Sequence, residues 1–389
     1  MKSKTPIEVK SKSTQKVPKV AIIILNWNGW KDTIECLESV FRNTYPNYQV
    51  IVVDNGSTDD SMEKIKAWAD GKQEVLTPES THPLYHLSHP AVVKPIPYIY
   101  YAREEAEKGG NFELEEKLTK EWQGQRKANS KELTPTSTYP LIFIQTGENL
   151  GCAGGNNVGT RYSLTHKYDY ILFLNNDTIV SSDFLKPLVE VCIQSQNIGM
   201  VGPKIYYYAF PDTIHSAGGR INLWLGKSCH IGILEKDIGQ YNKKCSVDFL
   251  TGCALLVSKK VCDTVGLFDE NFFLYFEDVD WCLRTRLSGK QLIYVPLSHV
   301  WHHKRIFKWS FDDSIARFYM TRNQIYFIYK YGKWYHWLVF IWYYFFSTIK
   351  TIAAYIIKGH NWTGVRSTIL GVIDGFKLIF RGDKKTKNE

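Results

Sequence analysis

Carboxylate side chains occur at three separate places that have the pattern of a buried strand or of a helix start. Asp54 and Asp177 each come shortly after a run of apolar residues, which predicts a strand in both cases. Glu277, Asp278 and Asp280 lie within four residues at the start of a predicted helix. Ligands of open α/β sheets bind at the carboxyl ends of the strands, so these side chains could bind a polar ligand and act on it.

The two carboxylates that follow strands suit different kinds of contact. Asp54 could accept hydrogen bonds from a nucleotide base or ribose, but taken alone the sequence Asp54-Asn-Gly-Ser favours a turn-forming role for it. Asp177 follows Asn175 and Asn176 and could hold Mg²⁺ or Mn²⁺, with the remaining positions filled by diphosphate oxygens and water. The alternative for Asp177 is an Asx turn that caps the next helix.

The acidic cluster Glu277, Asp278 and Asp280 suits a general base. A helix N-terminus favours the ionised form of nearby carboxylates, whereas their mutual repulsion raises the proton affinity of one of them. Such a group can take a proton from a sugar hydroxyl. The alternative is helix capping together with an Asp280–Arg284 pair, but three carboxylates exceed what a cap needs. We therefore favour a role in proton transfer.

A Gly/Asn-rich loop and a group of histidines complete the candidate set. Loop 147–159, which contains Gly155, would let the backbone approach a negatively charged ligand at a helix start. Its spacing matches neither a dinucleotide fingerprint nor a P-loop, so a structural turn is an equal alternative. His299, His302 and His303 follow the last predicted strand, where one of them could complete a metal shell. Neighbours on an extended segment point oppositely, so His302 and His303 should not share a role.

The elements that would position these residues alternate between strands and helices. Apolar runs predict strands at 20–25, 49–53, 141–144, 170–174 and 291–295, and another inside 247–257. Helices are predicted between the strands, and the first runs from Asp32, as its N-cap, to Asn43. This order predicts an α/β fold with a doubly wound mixed sheet and helices on both faces.

A long insertion interrupts the alternation between about residues 70 and 140. It is rich in Pro, Tyr, His, Lys and Glu and contains one predicted helix, at roughly 103–123. A structureless loop of that length is uncommon in a compact domain, so we expect local structure or a partner contact.

The composition limits the class of protein. The chain has 389 residues, 44% hydrophobic and 22% charged, which excludes a disulfide-stapled miniprotein and a disordered chain. Eight cysteines without a CxxC pair argue against a structural zinc site and are typical of buried, reduced thiols in a cytoplasmic protein. The net charge of +9 is compatible with nucleic acid, an anionic membrane or phosphorylated substrates. A nucleic-acid partner is not predicted, because the basic residues concentrate in the tails and no recognition motif occurs.

The C-terminal part is predicted to associate with a membrane surface. Residues 334–357 are nearly all apolar or aromatic and could cross a bilayer, and 368–380 is a second apolar segment. Lys350 interrupts the first segment and basic residues flank it on both sides, so we prefer a helix that lies on the membrane to one that spans it. The alternative is a buried helix of a C-terminal subdomain. Residues 1–18 are rich in Lys and Ser, lack an apolar signal segment and predict a disordered basic arm.

Several motifs together give the chain a resemblance to a known family. They are Val20-Ala-Ile-Ile-Ile-Leu-Asn-Trp-Asn28, Val52-Val-Asp-Asn-Gly-Ser-Thr-Asp59, Glu148-Asn-Leu-Gly-Cys-Ala-Gly-Gly-Asn-Asn157, Leu174-Asn-Asn-Asp177, Leu250-Thr-Gly-Cys-Ala254, the stretch from Gly266 to Trp281, Val300-Trp-His-His303 and Tyr319-Met-Thr-Arg-Asn323. In this order they make the chain resemble family 2 glycosyltransferases of the GT-A fold, and most closely their rhamnosyltransferase-like branch.

The resemblance implies an activity and roles for the candidate residues. The activity is an inverting transfer of a sugar from a nucleoside-diphosphate donor, dTDP-rhamnose or a UDP-sugar, to a hydroxyl of a glycan or lipid-linked acceptor in cell-surface polysaccharide or glycan assembly. Asp278 matches the catalytic base, with Glu277 beside it, and Asp177 and His302 match metal-binding residues. The residues expected around the nucleotide are Asn26, Asp54 and Asn149 and, in the same loops, Asn55, Gly155 and Asn176.

Two other functions are open from the residues alone. A sugar-nucleotide pyrophosphorylase would share the α/β core but would carry a Gly-rich basic loop after the first strand, where this chain has Leu25-Asn-Trp-Asn-Gly29. A noncatalytic carbohydrate-binding protein would not need the acidic cluster. The predicted organisation is a basic arm over 1–18, a GT-A catalytic domain over 19–310 and a helical, membrane-associating region over 311–389, on the cytoplasmic face of the cell membrane.

Overall fold

An eleven-stranded mixed sheet forms the centre of the protein, and helices cover both of its faces. The structure is a computed structural model that describes residues 17–76, 78–128, 137–303, 314–359 and 361–385. The basic arm predicted over 1–18 lies outside the described residues except for its last two, and the predicted domain boundary at 310–311 lies outside them as well.

The described residues form thirteen strands. They are β1 Val20–Asn26, β2 Tyr48–Asp54, β3 Tyr98–Ala102, β4 Leu141–Gln145, β5 Tyr170–Asn175, β6 Thr178–Val180, β7 Ile198–Tyr207, β8 Phe210–Ser216, β9 Gly219–Asn222, β10 Lys227–His230, β11 Cys245–Ser246, β12 Ala254–Ser258 and β13 Gln291–His302. β9 and β10 pair as a separate hairpin.

The same residues form twelve α-helices. They are α1 Trp30–Val40, α2 Ser61–Ala69, α3 Tyr85–Ser88, α4 Arg103–Glu107, α5 Phe112–Ala128, α6 Gly151–Thr165, α7 Leu185–Cys192, α8 Lys259–Val265, α9 Glu277–Leu287, α10 Ser314–Tyr331, α11 Trp334–Gly359 and α12 Trp362–Lys385. A short 3₁₀ turn at Glu270–Phe272 precedes α9.

Strand direction changes part-way across the sheet. The strand order is β11-β13-β7-β12-β5-β1-β2-β4-β3, and β6 and β8 pair with β13 and β7 outside this path. β5, β1, β2, β4 and β3 are parallel to one another, whereas β12 is antiparallel to both β5 and β7. β7 and β13 therefore run in the same direction as β5. The carboxyl end of β5 and the amino end of β12 therefore meet at one edge of the sheet.

Alternate residues of β1 enter two different hydrophobic cores. Ile22 and Ile24 pack on one face with α1, α2 and α7, whereas Ala21 and Ile23 pack on the other face with α6 and α9. Successive side chains of a strand point to opposite faces, so a strand covered on both sides needs a continuous apolar run. The predicted doubly wound sheet with helices on both faces is confirmed.

Helix α1 starts earlier than predicted. It begins at Trp30 with Gly29 as its N-cap, so Asp32 lies in the first turn and the prediction of Asp32 as the cap is wrong. The Gly29 carbonyl accepts hydrogen bonds from the backbone N–H of Thr33 at 3.0 Å and from its hydroxyl at 2.9 Å. These two bonds start the helix immediately after the carboxyl end of β1.

The insertion contributes a strand to the main sheet. β3 pairs in parallel with β4 and forms the edge of the sheet. The helix predicted at 103–123 is in fact two helices, α4 and α5, because Gly109 and Gly110 have positive φ values of +102° and +66° that no α-helix accommodates. The carboxylate of Glu38 in α1 accepts a hydrogen bond from the backbone N–H of Val92 at 2.7 Å and so ties the insertion to the core.

Strand β7 is long and central, yet the apolar pattern does not predict it. Gly199, Gly202 and Pro203 interrupt its sequence, and glycine and proline are depleted in strands. A Cβ atom at Gly202 would lie 2.8 Å from the Leu250 side chain, so the neighbouring loop requires glycine there. The strand predicted inside 247–257 is β12, which begins only at Ala254.

All eight cysteines are free thiols. Five of them are buried and Cys152 is partly exposed. Cys229 and Cys245 are exposed on the short strands β10 and β11, so the prediction of burial is wrong for these two.

Three helices form the C-terminal region. Tyr326 and Phe327 of α10 belong to the same hydrophobic core as Phe272, which precedes α9, and α12 packs along α10. The predicted apolar segment forms α11. Among the described residues, Trp334–Ile357 is the one helical stretch long and apolar enough to cross a membrane, and only 11% of its most apolar window is buried.

Candidate active site

The loops after β1 and β2 are joined through Ser57. Asn26 and Asp54 are register partners at the ends of these parallel strands. The Ser57 hydroxyl accepts hydrogen bonds from the Asn26 amide at 3.1 Å and from the Asn28 backbone N–H at 2.9 Å, and the Ser57 N–H donates to Asp54 Oδ1 at 3.0 Å. Burial raises the pKa of Asp54, although the hydrogen bonds from Ser57 oppose that effect. Two predicted nucleotide residues thus share one rigid frame.

Asn176 brings the end of β5 into the same frame. Its amide nitrogen lies 3.0 Å from the Thr33 hydroxyl, 3.3 Å from the Gly29 carbonyl and 3.4 Å from Asn26 Oδ1. The loop after β5 is therefore held against the loop after β1. This packing leaves the next residue, Asp177, at the same edge of the sheet as Asp54.

Asn55 attaches the Gly/Asn-rich loop to the end of β2. Its amide nitrogen donates to Asn149 Oδ1 at 3.1 Å, and its oxygen accepts from the Leu150 N–H at 3.1 Å. Gly155 is buried in α6, where a Cβ atom would lie 2.5 Å from the Leu25 side chain and 3.0 Å from Asn55 Oδ1. Packing of α6 on the sheet therefore accounts for glycine at 155, and a contact of Gly155 with nucleotide stays a prediction.

Asp177 and His302 form a close carboxylate–imidazole pair. Asp177 Oδ1 lies 3.1 Å from His302 Nε2, and His302 is buried. Burial by itself would lower the pKa of His302, but the Asp177 carboxylate raises it to about 10. The charged imidazole in turn keeps the pKa of Asp177 below its ordinary value, against the effect of burial.

The pair supplies two side chains that a divalent cation can use as ligands, once the cation displaces the imidazole proton. The described residues contain no group of three or more His, Cys, Asp or Glu side chains that could hold a metal ion. A carboxylate and an imidazole suit Mn²⁺, and the carboxylate also suits Mg²⁺. The chemistry of Asp177 and His302 therefore fits an ion that takes its other ligands from a bound diphosphate and water.

His303 has a different environment from His302, as predicted. Its ring stacks on Tyr208 with the centroids 3.5 Å apart, and its Nε2 lies 3.6 Å from the buried carboxylate of Glu35. Its backbone N–H donates to the Asp177 carbonyl at 2.9 Å. His82 of the insertion stacks on the same Tyr208 with the centroids 4.3 Å apart, which brings the insertion to the border of this site.

Asp278 and Glu277 reach the same edge from α9. Asp278 Oδ2 accepts a hydrogen bond from the Gly252 N–H at 2.8 Å. The carbonyl of Cys253, the residue after Gly252, accepts a hydrogen bond from the Asn175 N–H at 2.9 Å. Asp278 therefore lies beside the carboxyl end of β5. Glu277 is buried and interacts with the Cys152 thiol at the start of α6, where burial and this carboxylate raise the pKa of Cys152.

Asp280 is not part of this group. It is fully buried and interacts with Lys330 Nζ at 2.6 Å, with the Tyr331 hydroxyl at 2.5 Å and with Arg284 Nε at 2.9 Å. The pairing with Arg284 that the spacing allowed is confirmed. Of the three acidic residues, Glu277 and Asp278 are at the candidate site and Asp280 anchors α9 to α10.

A path of hydrogen bonds and short peptide segments thus connects Asp54, Asp177 and Asp278 along one edge of the sheet. Sequence reasoning missed Ser57 and Gly252, which make two of these links. Both lie inside motifs that carry the family resemblance, Val52–Asp59 and Leu250–Ala254, so the signal was present. The edge has the parts of a polar-ligand site with a carboxylate beside it.

Comparison with known protein families agrees with this arrangement. The model of "Glycosyl transferase family 2" matches residues 21–80, and that of "Glycosyltransferase like family 2" matches residues 133–319. Together they cover more than half of the chain. The chain belongs to glycosyltransferase family 2. The matched ranges contain every predicted site residue.

Curated relatives match about half of this family 2 chain. The low-salt glycan biosynthesis hexosyltransferase Agl10 of Haloferax volcanii is 26% identical over 51% of this chain and 63% of its own length. The dTDP-rhamnosyl transferase RfbF of Shigella flexneri is 30% identical over 40% of this chain and 49% of its own. The rhamnosyltransferase WbbL of Escherichia coli is 28% identical over 48% and 76%. The chain thus spans less than two thirds of the first two relatives, and the relatives agree with the rhamnosyltransferase-like branch.

A solved structure supports the fold of this family 2 chain. The mannosyltransferase PcManGT from Pyrobaculum calidifontis, solved in complex with GDP-Man and Mn²⁺, superposes with a TM-score of 0.50 at 13% identity. The match covers 96% of this chain and 91% of that one. The predicted GT-A architecture is confirmed.

We expect the protein to lose stability between about pH 7 and about pH 10 through His302. In the unfolded chain this imidazole has a pKa of about 6.5, whereas in the folded protein it stays protonated up to about pH 10. The folded state binds the extra proton over this range, so a rise in pH lowers the free energy of unfolding, by at most about 1.4 kcal/mol per pH unit.

Urea unfolding at about pH 7.5 and about pH 9 measures this effect in the wild type and in His302→Gln. The wild type should lose more stability than the variant, because only it carries the raised imidazole pKa. The same pH dependence in both proteins would show that His302 is neutral in the fold.

Proposed function

We propose that the chain is an inverting glycosyltransferase that moves a sugar from a nucleoside diphosphate to a hydroxyl of a glycan or lipid-linked acceptor in cell-surface polysaccharide or glycan assembly. The observation that carries the proposal is the connected edge that joins Asp54, Asp177 and Asp278. The names of RfbF and WbbL favour a deoxyhexose donor such as dTDP-rhamnose, and a UDP-sugar is the alternative.

The nucleotide would bind across the ends of β1 and β2. Asp54 and Asn26 are held by Ser57 with little freedom, and a preorganised carboxylate suits hydrogen bonds from a base or ribose. Asn55 and Asn149 face each other beside it and would complete the contact. The diphosphate would then extend towards Asp177 and His302, the residues that would hold a divalent cation. When bound, such a cation takes up the charge that develops on the departing diphosphate.

Asp278 would act as the base in a single displacement. It would take the proton of the acceptor hydroxyl while that oxygen attacks the anomeric carbon, and the nucleoside diphosphate would leave from the opposite face of the sugar. The hydrogen bond from Gly252 to Oδ2 holds the carboxylate in one orientation. Glu277 lies beside it but is buried, so its part is to shape the pocket wall next to Cys152.

The two rival functions find less support. The loop after β1 carries no basic residue from Asn26 to Gly29, so a pyrophosphorylase would lack its basic phosphate loop. A noncatalytic sugar-binding protein would not need a carboxylate held at the site edge by Gly252.

A panel of nucleotide sugars tests the activity and the cation together. We expect release of nucleoside diphosphate from dTDP-rhamnose or a UDP-sugar, and a loss of at least about tenfold when EDTA removes the cation. Asp177→Asn should reproduce that loss in the presence of Mg²⁺ or Mn²⁺. If no donor releases nucleoside diphosphate, the proposed transferase activity is wrong. If release is equal with and without EDTA, the proposed role of the divalent cation is wrong.

Substitution of Asp278 tests the base. We expect Asp278→Asn to lower transfer by about a hundredfold or more, because the amide cannot accept the hydroxyl proton. Donor affinity, measured by calorimetry, should stay within about twofold, since the nucleotide contacts lie elsewhere. The matched control is Asp263→Asn, which removes an exposed carboxylate on α8. Near-normal turnover in Asp278→Asn would disprove the assignment.

We further propose that residues 314–385 attach the enzyme to the cytoplasmic face of the cell membrane, where a lipid-linked acceptor would lie. Exposed apolar side chains form one stripe along α11, since they recur at helical spacing. They are Trp334, Leu338, Val339, Ile341, Trp342, Phe345, Phe346, Ile349, Ile356 and Ile357. α12 adds Trp362, Ile369, Leu370, Ile373, Phe376 and Phe380. This surface is large for a monomer and contains the tryptophans typical of a membrane interface.

Contacts on the other side of α11 favour a helix that lies on the membrane. Phe340 packs against Ile325 and Ile328 of α10, the Tyr344 hydroxyl donates to the Thr321 carbonyl at 3.1 Å, and Tyr355 accepts from Arg317. These contacts extend over roughly 22 Å of helix at about 1.5 Å per residue. A spanning α11 would take the charged helix α10 into the bilayer with it, which is costly.

Vesicle binding tests the membrane proposal. We expect Trp342→Glu to weaken sedimentation with anionic phospholipid vesicles by about tenfold or more, because a large apolar side chain is lost and a like charge gained. The matched control is Ile238→Glu, at an apolar residue that is 82% exposed on another part of the protein. Equal weakening by both variants would remove the support for this surface. Release of the protein by carbonate would support surface attachment, and retention would support a span.

A further inference from the structure

The loop before α9 has an unusual backbone. Phe273, Tyr275 and Phe276 have φ values of +59°, +67° and +72°, and none of them is glycine. Bulky residues rarely adopt left-handed conformations, so surrounding contacts must impose this one. The loop is followed directly by Glu277 and Asp278. Any relaxation of its backbone would therefore move the candidate base.

One side of the loop is attached to α6. The Phe273 carbonyl accepts hydrogen bonds from the backbone N–H groups of Cys152 at 2.6 Å and Ala153 at 3.3 Å. It thereby satisfies N–H groups that the first turn of a helix leaves without an intrahelical partner. A Cβ atom at Gly151 would lie 2.4 Å from the same carbonyl oxygen, so this approach requires glycine.

The other side of the loop is attached to Asn323 of α10. The Asn323 side-chain nitrogen lies 2.8 Å from the Phe272 carbonyl oxygen, 2.8 Å from that of Leu274 and 2.7 Å from that of Tyr275. Asn323 is fully buried. An amide nitrogen has two hydrogens, so at least one of them is shared between two carbonyl groups. One side chain thus contacts three carbonyls of this segment, Phe272, Leu274 and Tyr275.

Arg322 fixes the orientation of that amide. Its Nε donates to Asn323 Oδ1 at 2.8 Å, which turns the Asn323 nitrogen towards the loop. Its terminal nitrogen donates to the carbonyls of Asn271 and, at 3.0 Å, Phe272. Helix α12 closes over this pair, since a Cβ atom at Gly375 would lie 3.0 Å from the Arg322 carbonyl oxygen and Asp374 lies 3.8 Å from the Arg322 guanidinium.

We propose that Asn323 is a positioning residue for the glycosyl transfer: through its three carbonyl contacts it holds the left-handed loop that aims Asp278 at the acceptor. The inference rests on the proposed function for its chemistry and on the loop contacts for its geometry. It makes the C-terminal helices part of the catalytic unit, since α10 supplies the residue and α12 supports it.

The test compares Asn323→Ala with Gln324→Ala in the full-length protein. Gln324 is the next residue of α10, and its amide makes one comparable hydrogen bond, to the Leu225 carbonyl at 2.8 Å, away from the loop. We expect Asn323→Ala to lower kcat for transfer at least about tenfold, because small displacements of a reacting group are costly. The donor Kd should stay within about twofold, and Gln324→Ala should behave as the wild type.

A second variant separates hydrogen bonding from space filling. Asn323→Asp keeps the shape of the side chain but removes the donor nitrogen, so it should lose kcat as Asn323→Ala does. If Asn323→Asp keeps normal kcat while Asn323→Ala loses it, Asn323 only fills space and the proposal is wrong. A loss of donor affinity in step with kcat would likewise show a general structural defect.

Hydrogen–deuterium exchange gives a readout that does not depend on activity. The backbone N–H groups of residues 277–282 should exchange faster in Asn323→Ala than in the wild type and in Gln324→Ala, while the strands keep their protection. Unchanged exchange at 277–282 would overturn the positioning role. Faster exchange in a protein whose wild type releases no nucleoside diphosphate from any donor would instead refute the proposed reaction and leave the positioning of the loop supported.

Discussion

The parallel pairing of β1 with both β2 and β5 is the constraint on which the candidate site depends. Because the three strands run in the same direction and in register, Asn26, Asp54 and Asn175 end at one edge. Parallel strands cannot be joined by tight turns, so each connection passes over a face of the sheet and returns. The polar residues that end these strands therefore all lie at this edge. Their loops are close enough to be joined by a short side chain such as Ser57.

The strands on the other side of β5 bring further residues to the same edge. β12 runs against β5, so the turn that precedes it, at Gly252, reaches the edge where β5 ends. In that turn the backbone N–H of Gly252 donates a hydrogen bond to Asp278. β13, which is parallel to β7, brings His302 to the same edge from the far side. Asp278 and His302 therefore reach this edge because β12 alone is reversed between β5 and β7, whereas β13 runs in the direction of β5.

The two sides of the C-terminal helices have different environments. Their outer side is apolar and exposed, which is the basis of the membrane proposal. The inner side of α10 carries Lys330 and Tyr331, which hold Asp280, and Asn323, which holds the loop before α9. If the membrane proposal holds, the distance of the site from a bilayer would be set by the same helices that hold the loop before α9.

The sequence by itself determined the alternation of strands and helices, the polar residues at the strand ends and the apolar character of α11. These properties are local, since burial of a strand or a helix face requires a periodic pattern of apolar residues along the chain. Tertiary structure alone decided the rest. β7 is central despite Gly202 and Pro203, because neighbouring strands supply its hydrogen bonds and Leu250 fills the space.

Tertiary contacts also divided the acidic cluster. Asp278 and Asp280 are two residues apart, yet one faces Gly252 at the site and the other faces Lys330 of α10. No pattern within 276–281 separates them, because the difference comes from elements more than twenty residues away on either side. The positive φ values before Glu277 have the same origin: Asn323 and the start of α6 impose a backbone that the local residues would not adopt by themselves.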